Sequence, residues 1–150
     1  MTIALLLSAL LILATTLIHF ECLRGLSAIL PRLAVSDRAR VLFGVLGTLI
    51  AHMLEIVLYG VAYYFLRDHF SLGNFVGHFA DSFATFLYFS AETYTSVGFG
   101  DIFPTGMLRM VCGFEALNGL LLIGWSASFT YVFMEHFWNI DKANNRDAPT

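Results

Sequence analysis

Three apolar segments decide what this chain can fold into. Residues 2–20 carry no charge and one histidine, His19; residues 41–66 are interrupted only by His52 and Glu55, and residues 107–134 only by Arg109 and Glu115. The hydrocarbon core of a bilayer is about 30 Å thick, and a helix crosses it with about 20 residues. Each segment is long enough to cross. Hydrophobic residues make up 58% of the chain and charged residues 13%, where soluble domains carry about 25% charged residues. The sequence therefore predicts an all-α membrane protein with three transmembrane helices in one membrane domain. The first segment lacks a basic leader and a small-residue cleavage site, so it is expected to stay as an anchor. Cys22 and Cys112 lie far apart with no metal-type spacing, which implies neither a disulfide framework nor a zinc site.

Orientation follows from the loops, because Lys and Arg near membrane ends favour the cytoplasmic side. Residues 21–40 hold Arg24, Arg32, Arg38 and Arg40, whereas Arg67 is the one basic residue between the second and third segments. Residues 21–40 are therefore read as a cytoplasmic loop, with residues 23–33 as an interfacial segment. The N-terminus is then outside, and residues 136–150, with Lys142 and Arg146, form a short polar, disordered tail inside. The localisation expected is the cell membrane.

Between the second and third spans lie residues 79–104, apolar at first and then rich in poor helix formers. Asp81 or Ser82 is suited to cap a helix start, and Phe83, Phe86, Leu87 and Ser90 have helical spacing. The sequence predicts a half-helix that enters from outside and stops within the membrane near residues 93–95. Non-helical backbone at that depth is tolerated only where protein buries it or where it lines a water-filled cavity. Ser96, Val97, Gly98, Phe99 and Gly100, run as an extended strand of alternating twist, would turn successive carbonyls toward one axis. Glycine takes the mirror-image conformations such a row needs without steric cost. Four such strands would make rings of oxygens able to replace the water around a cation.

Thr95-Ser-Val-Gly-Phe-Gly-Asp101 resembles the Thr-Val-Gly-Tyr-Gly-Asp filter signature of potassium channels. Ser90-Ala-Glu-Thr-Tyr-Thr95 resembles the end of the pore helix in their small bacterial members, and the resemblance extends from Asp81 to Tyr131. It implies a re-entrant pore helix and selectivity-filter loop between the second and third spans, residues 41–66 as outer helix and residues 107–134 as inner helix. It implies a homotetramer conducting potassium ions, since one loop cannot enclose an axis. No cofactor, nucleic acid or enzymatic activity is implied; the partners are other copies of the chain and lipid, with room for a regulatory subunit.

By the resemblance, Ser96 offers its hydroxyl to the ion and Val97, Gly98, Phe99 and Gly100 their carbonyls. Phe99 stands where the family has Tyr, so a bracing hydroxyl is lost. Glu92 and Asp101 resemble the carboxyl pair behind the filter that shares one proton, with Glu92 as its holder, and Tyr88 is placed to donate to Asp101. Gly119 falls near the hinge glycine of the inner helix, with close packing as the alternative role for it, Gly113 and Gly124. Leu120, Ile123 and Ala127 would line the inner cavity, with Tyr131 near the helix crossing.

The ionisable residues within the spans are expensive there and mark a function or a specific partner. His52 and Glu55 share a face with Tyr59, and Glu115 lies near Asn118. The reading preferred is interhelical polar glue, either His52 with Glu55 or Glu55 with Glu115 through a shared proton. A metal site of His52, Glu55 and Glu115 lacks a second histidine. With no Arg-repeat sensor, gating is expected from the pore, lipid, protons or a partner. His136 could open the pore on protonation or sit in an interfacial belt with Trp138. The alternatives to a potassium channel are a weakly selective monovalent cation channel, a non-conducting assembly subunit, and a membrane enzyme built on the span His and Glu residues.

Overall fold

The computed structural model describes residues 1–146, with side chains through His136. In chain order it contains α1 (Thr2–Ile29), a 3-10 turn (Leu30–Arg32), α2 (Asp37–Asp68), β1 (Phe75–Gly77), α3 (Phe83–Tyr94), β2 (Ile102–Pro104) and α4 (Leu108–Arg146). Three helices are long and apolar enough to cross a membrane, spanning Thr2–Arg32, Asp37–Asp68 and Leu108–His136.

Two helices outrun the bounds expected from hydropathy. α1 continues unbroken past Phe20 to Ile29 and ends at the 3-10 turn that holds Pro31. This replaces the separate interfacial segment and leaves residues 33–36 as the whole link to α2. Nothing between Phe20 and Ile29 breaks a helix apart from Gly25, and proline is tolerated only at the first turn of the next element. α4 likewise runs past Met134 to Arg146, so the tail expected to be disordered is helical as far as that residue. Lys142, Arg146 and Trp138 lie outside the described side chains.

Local chemistry fixes the start of α2. Ser36 is its N-cap, with Oγ accepting from the Ala39 amide at 3.4 Å, and Asp37 in the first turn pairs with Arg40 at 2.5 Å. A negative residue there meets the positive end of the helix dipole.

β1 and β2 pair antiparallel, with Phe75 opposite Pro104 and Gly77 opposite Ile102. The segment between them, which contains α3 and the Gly-rich stretch, therefore leaves and returns at the same place. Its walls are aromatic: Phe75 meets Phe89 with centroids 4.8 Å apart and Tyr63 at 89° and 5.7 Å. Tyr59, Phe86, Tyr94, Leu108 and Val111 complete this core. Lipid tails are as apolar as these side chains, so dispersion and hydrogen bonding, rather than water exclusion, hold such helices together.

Candidate functional site: the loop after α3 and its polar supports

α3 ends in a motif that sets the course of the loop beyond it. The Val97 amide bonds the Glu92 carbonyl at 2.9 Å and the Ser96 amide bonds the Thr93 carbonyl at 3.0 Å, the paired bonds of a Schellman cap. That cap requires a left-handed residue just past the helix, and Ser96 has φ +58°. Gly98 and Gly100 come next with φ +54° and +79°. Every second residue from 96 to 100 is thus left-handed, an inversion that non-glycine residues rarely make.

The supports of this loop come from α3 and the approach to β2. Glu92 Oε2 accepts from the Phe99 amide at 2.9 Å, and Tyr88 donates its hydroxyl to Asp101 Oδ2 at 3.0 Å. No hydrogen bond joins Glu92 to Asp101 among the described residues, and Asp101 Oδ1 is buried without a partner. Glu92 Oε2 is thus engaged by backbone, and Asp101 Oδ2 by Tyr88. The Phe99 ring stacks on Tyr88, with centroids 6.0 Å apart and planes 8° from parallel.

A sequence model described as "Ion channel" matches residues 51–136, more than half of the chain. The chain belongs to the ion channel family. The match takes in most of α2, all of α3, the loop and α4 through His136, and leaves α1 outside the channel domain. The family is one of channels and not of enzymes. No curated protein and no solved structure matches the chain.

Within the channel domain, α4 packs against the end of α3 through Gly119. A Cβ there would lie 2.1 Å from the Tyr94 carbonyl oxygen, so this glycine allows close approach. Gly113 and Gly124 face open space. Leu120 (53% exposed), Ile123 and Ala127 lie on a face that this chain does not cover, as do Tyr131, Val97 and Phe99. Ile123 and Ala127 also border a cavity of about 550 Å³ shared with His52, Tyr94, Thr95 and Ser126.

Three polar clusters cross the helix packing. Glu115 accepts from Ser90 Oγ at 2.6 Å and from Tyr63 through a short contact. Asn118 Nδ2 donates to Thr15 Oγ1 at 2.7 Å and to the Tyr59 hydroxyl at 3.3 Å. Glu55 accepts from Tyr94 through a short contact, and its oxygens lie 2.9 Å from His19 Nδ1 and 3.2 Å from His52 Nδ1. The pairing of His52 with Glu55 is thus present. Glu55 and Glu115 do not share a proton directly, because they belong to different clusters.

Sequence reasoning named none of the α1 residues that pack against the other helices. Ala4, Ser8, Thr15, His19 and Leu23 are its buried residues, at helical spacing on one face and, Leu23 apart, small or polar. That stripe was the available signal for a helix that packs against partners rather than lipid.

Proposed function

We propose that this protein is a homotetrameric potassium channel in which residues 96–100 are the selectivity filter. The observation that carries the reading is the alternation of left-handed backbone at Ser96, Gly98 and Gly100 directly after a short helix. A strand of that twist turns successive carbonyls the same way, and rings of carbonyl oxygens take the place of an ion's hydration shell. Ser96, Val97, Gly98, Phe99 and Gly100 supply the oxygens; Tyr88, Glu92 and Asp101 brace them. The four α3 helices direct their negative C-terminal ends at the ion path, which favours a cation. Leu120, Ile123 and Ala127 line the inner cavity, and Gly119 sits at the bend or close contact of the inner helix. The uncovered face of α4 is where neighbouring copies meet. The N-terminus is outside, and Arg24, Arg32, Arg38 and Arg40, which flank the short link between α1 and α2, lie at the cytoplasmic side.

The test is ion flux from potassium-loaded liposomes containing the purified protein. Wild type is expected to release potassium from these liposomes and to release little sodium from sodium-loaded ones, and Gly98→Ala to reduce potassium flux at least tenfold while the protein still assembles. A folded, tetrameric wild type with no flux would overturn the reading. Phe99, which lacks the hydroxyl usual at its position, favours one second reading, a weakly selective cation channel. Comparable sodium and potassium currents under bi-ionic conditions would establish that alternative.

A further inference from the structure

The cluster around Glu55 has a donor count that hydrogen bonding alone does not balance. His19 and Glu55 are fully buried and His52 is nearly so, with side-chain exposures of 0%, 0% and 13%. Both imidazoles turn Nδ1 toward the Glu55 carboxylate, His19 to Oε1 and His52 to Oε2. Both turn Nε2 toward one hydroxyl, Ser126 Oγ, at 3.2 and 2.9 Å. The Tyr94 hydroxyl lies 2.8 Å from His52 Nδ1 and also bonds Glu55.

The proton inventory is short by one. Neutral His19, His52, Tyr94 and Ser126 bring one N–H or O–H proton each. If Ser126 donates to His19, His52 gives its proton to Ser126, and its bare Nδ1 competes with Glu55 Oε2 for the single Tyr94 proton. If Ser126 donates to His52, the bare Nδ1 of His19 faces Glu55. If Ser126 accepts from both rings, which a hydroxyl's two lone pairs allow, both Nδ1 lone pairs converge on a carboxylate. With neutral rings every arrangement therefore lacks one positive group beside Glu55, which either a further proton or a bound cation would supply.

We infer that His19, His52, Glu55 and Tyr94 form an intramembrane binding site for a divalent transition-metal ion of the zinc class. Two imidazole nitrogens, a carboxylate and one further position suit a tetrahedral ion of borderline softness, with ligand atoms about 3.3 Å apart. The ligand atoms of His19, His52 and Glu55 all lie within 4.8 Å of one another, and the contacts of 2.8 to 3.2 Å between these side chains are already near that spacing. Metal on both Nδ1 atoms fixes both protons on Nε2, and Ser126 is the outer partner that accepts them, the support that metal-bound histidines ordinarily have. Tyr94 gives up its proton to water on binding, so that two anionic ligands neutralise the ion and no net charge is left in the membrane. His52 and Tyr94 border the 550 Å³ cavity, which gives the ion a way in. The ligands belong to α1, α2 and α3, and Tyr94 is two residues from Ser96. A bound ion therefore clamps the N-terminal helix to the segment that carries the proposed filter.

The experiment is titration of the chelator-stripped full-length protein in nanodiscs with Co²⁺. The expected result is one tightly bound ion per chain with the intense visible absorption of four-coordinate Co²⁺, and two imidazole rings in its X-ray absorption spectrum. His19→Gln and His52→Gln are each expected to weaken binding at least 100-fold, and Ser126→Ala about 10- to 100-fold. Absence of stoichiometric binding by the wild type, a six-coordinate spectrum, or unchanged binding by the double histidine variant would overturn the inference. If the variants fail to fold, the wild-type spectrum decides. None of these readouts is ion flux, so the result stands apart from the channel proposal.

Discussion

At the scale of single residues, the decisive positions are those where a side chain cannot be added or a charge cannot be left. Gly119 is one, since its missing Cβ lets α4 touch the Tyr94 carbonyl. Gly119→Ala is expected to force the helices apart at a cost of about 1–3 kcal/mol, the usual result of overpacking, and to lower the thermal unfolding temperature in detergent. Gly124→Ala, which meets open space, should leave that temperature unchanged or raise it, since alanine is the better helix former. Glu92 is another, since its carboxylate holds the Phe99 amide at 2.9 Å. Glu92→Ala, which leaves that amide without this acceptor, is expected to unfold at a lower temperature than Glu92→Gln, which keeps an oxygen for it.

At the scale of elements, α1 lies wholly outside the channel-family match and is tied to the channel domain by the polar clusters. Thr15 reaches Asn118 of α4, and His19 reaches Glu55 of α2 and Ser126 of α4. Hydrogen bonds between membrane helices contribute about 0.6 kcal/mol on average and up to about 1.7 kcal/mol. Asn118→Leu removes two of them and leaves the Tyr59 hydroxyl without this donor, so it should destabilise the fold by about 1–2 kcal/mol. Steric-trap or chemical unfolding in detergent would measure it, and an unchanged unfolding midpoint would show that α1 is held elsewhere. α3 is short, 12 residues, and its placement depends on partners at both ends. Arg67 pairs with Asp81 ahead of it at 2.7 Å, and Gly119 receives it at the other end.

At the scale of the whole molecule, one chain is incomplete as a conduit. The loop from 95 to 100 is exposed along its length, and a face of α4 with Leu117, Leu120 and Leu121 is bare. A closed ring of identical subunits buries such a face the same way in every copy. The protein is expected to run as a tetramer by native mass spectrometry in mild detergent. Leu121→Arg, which puts a charge on that face, should shift it toward monomer. A monomeric wild type that conducts would contradict the proposed arrangement.

The amino-acid sequence by itself determined the three apolar helices, the broken stretch between the second and third, and the glycines at alternate positions after it. These are local properties: hydropathy over a span's length, and backbone freedom at single residues. Tertiary structure decided the partners. Whether Glu55 meets Glu115 or His19 depends on how α1 seats against α2 and α4, and residues 36 positions apart carry no mark of their contact in the order of the chain. The Glu92 carboxylate bonds the Phe99 amide for the same reason, since the turn after α3 brings that amide within reach. Side chains that act across helices are legible only as buried polar positions until packing supplies the neighbour.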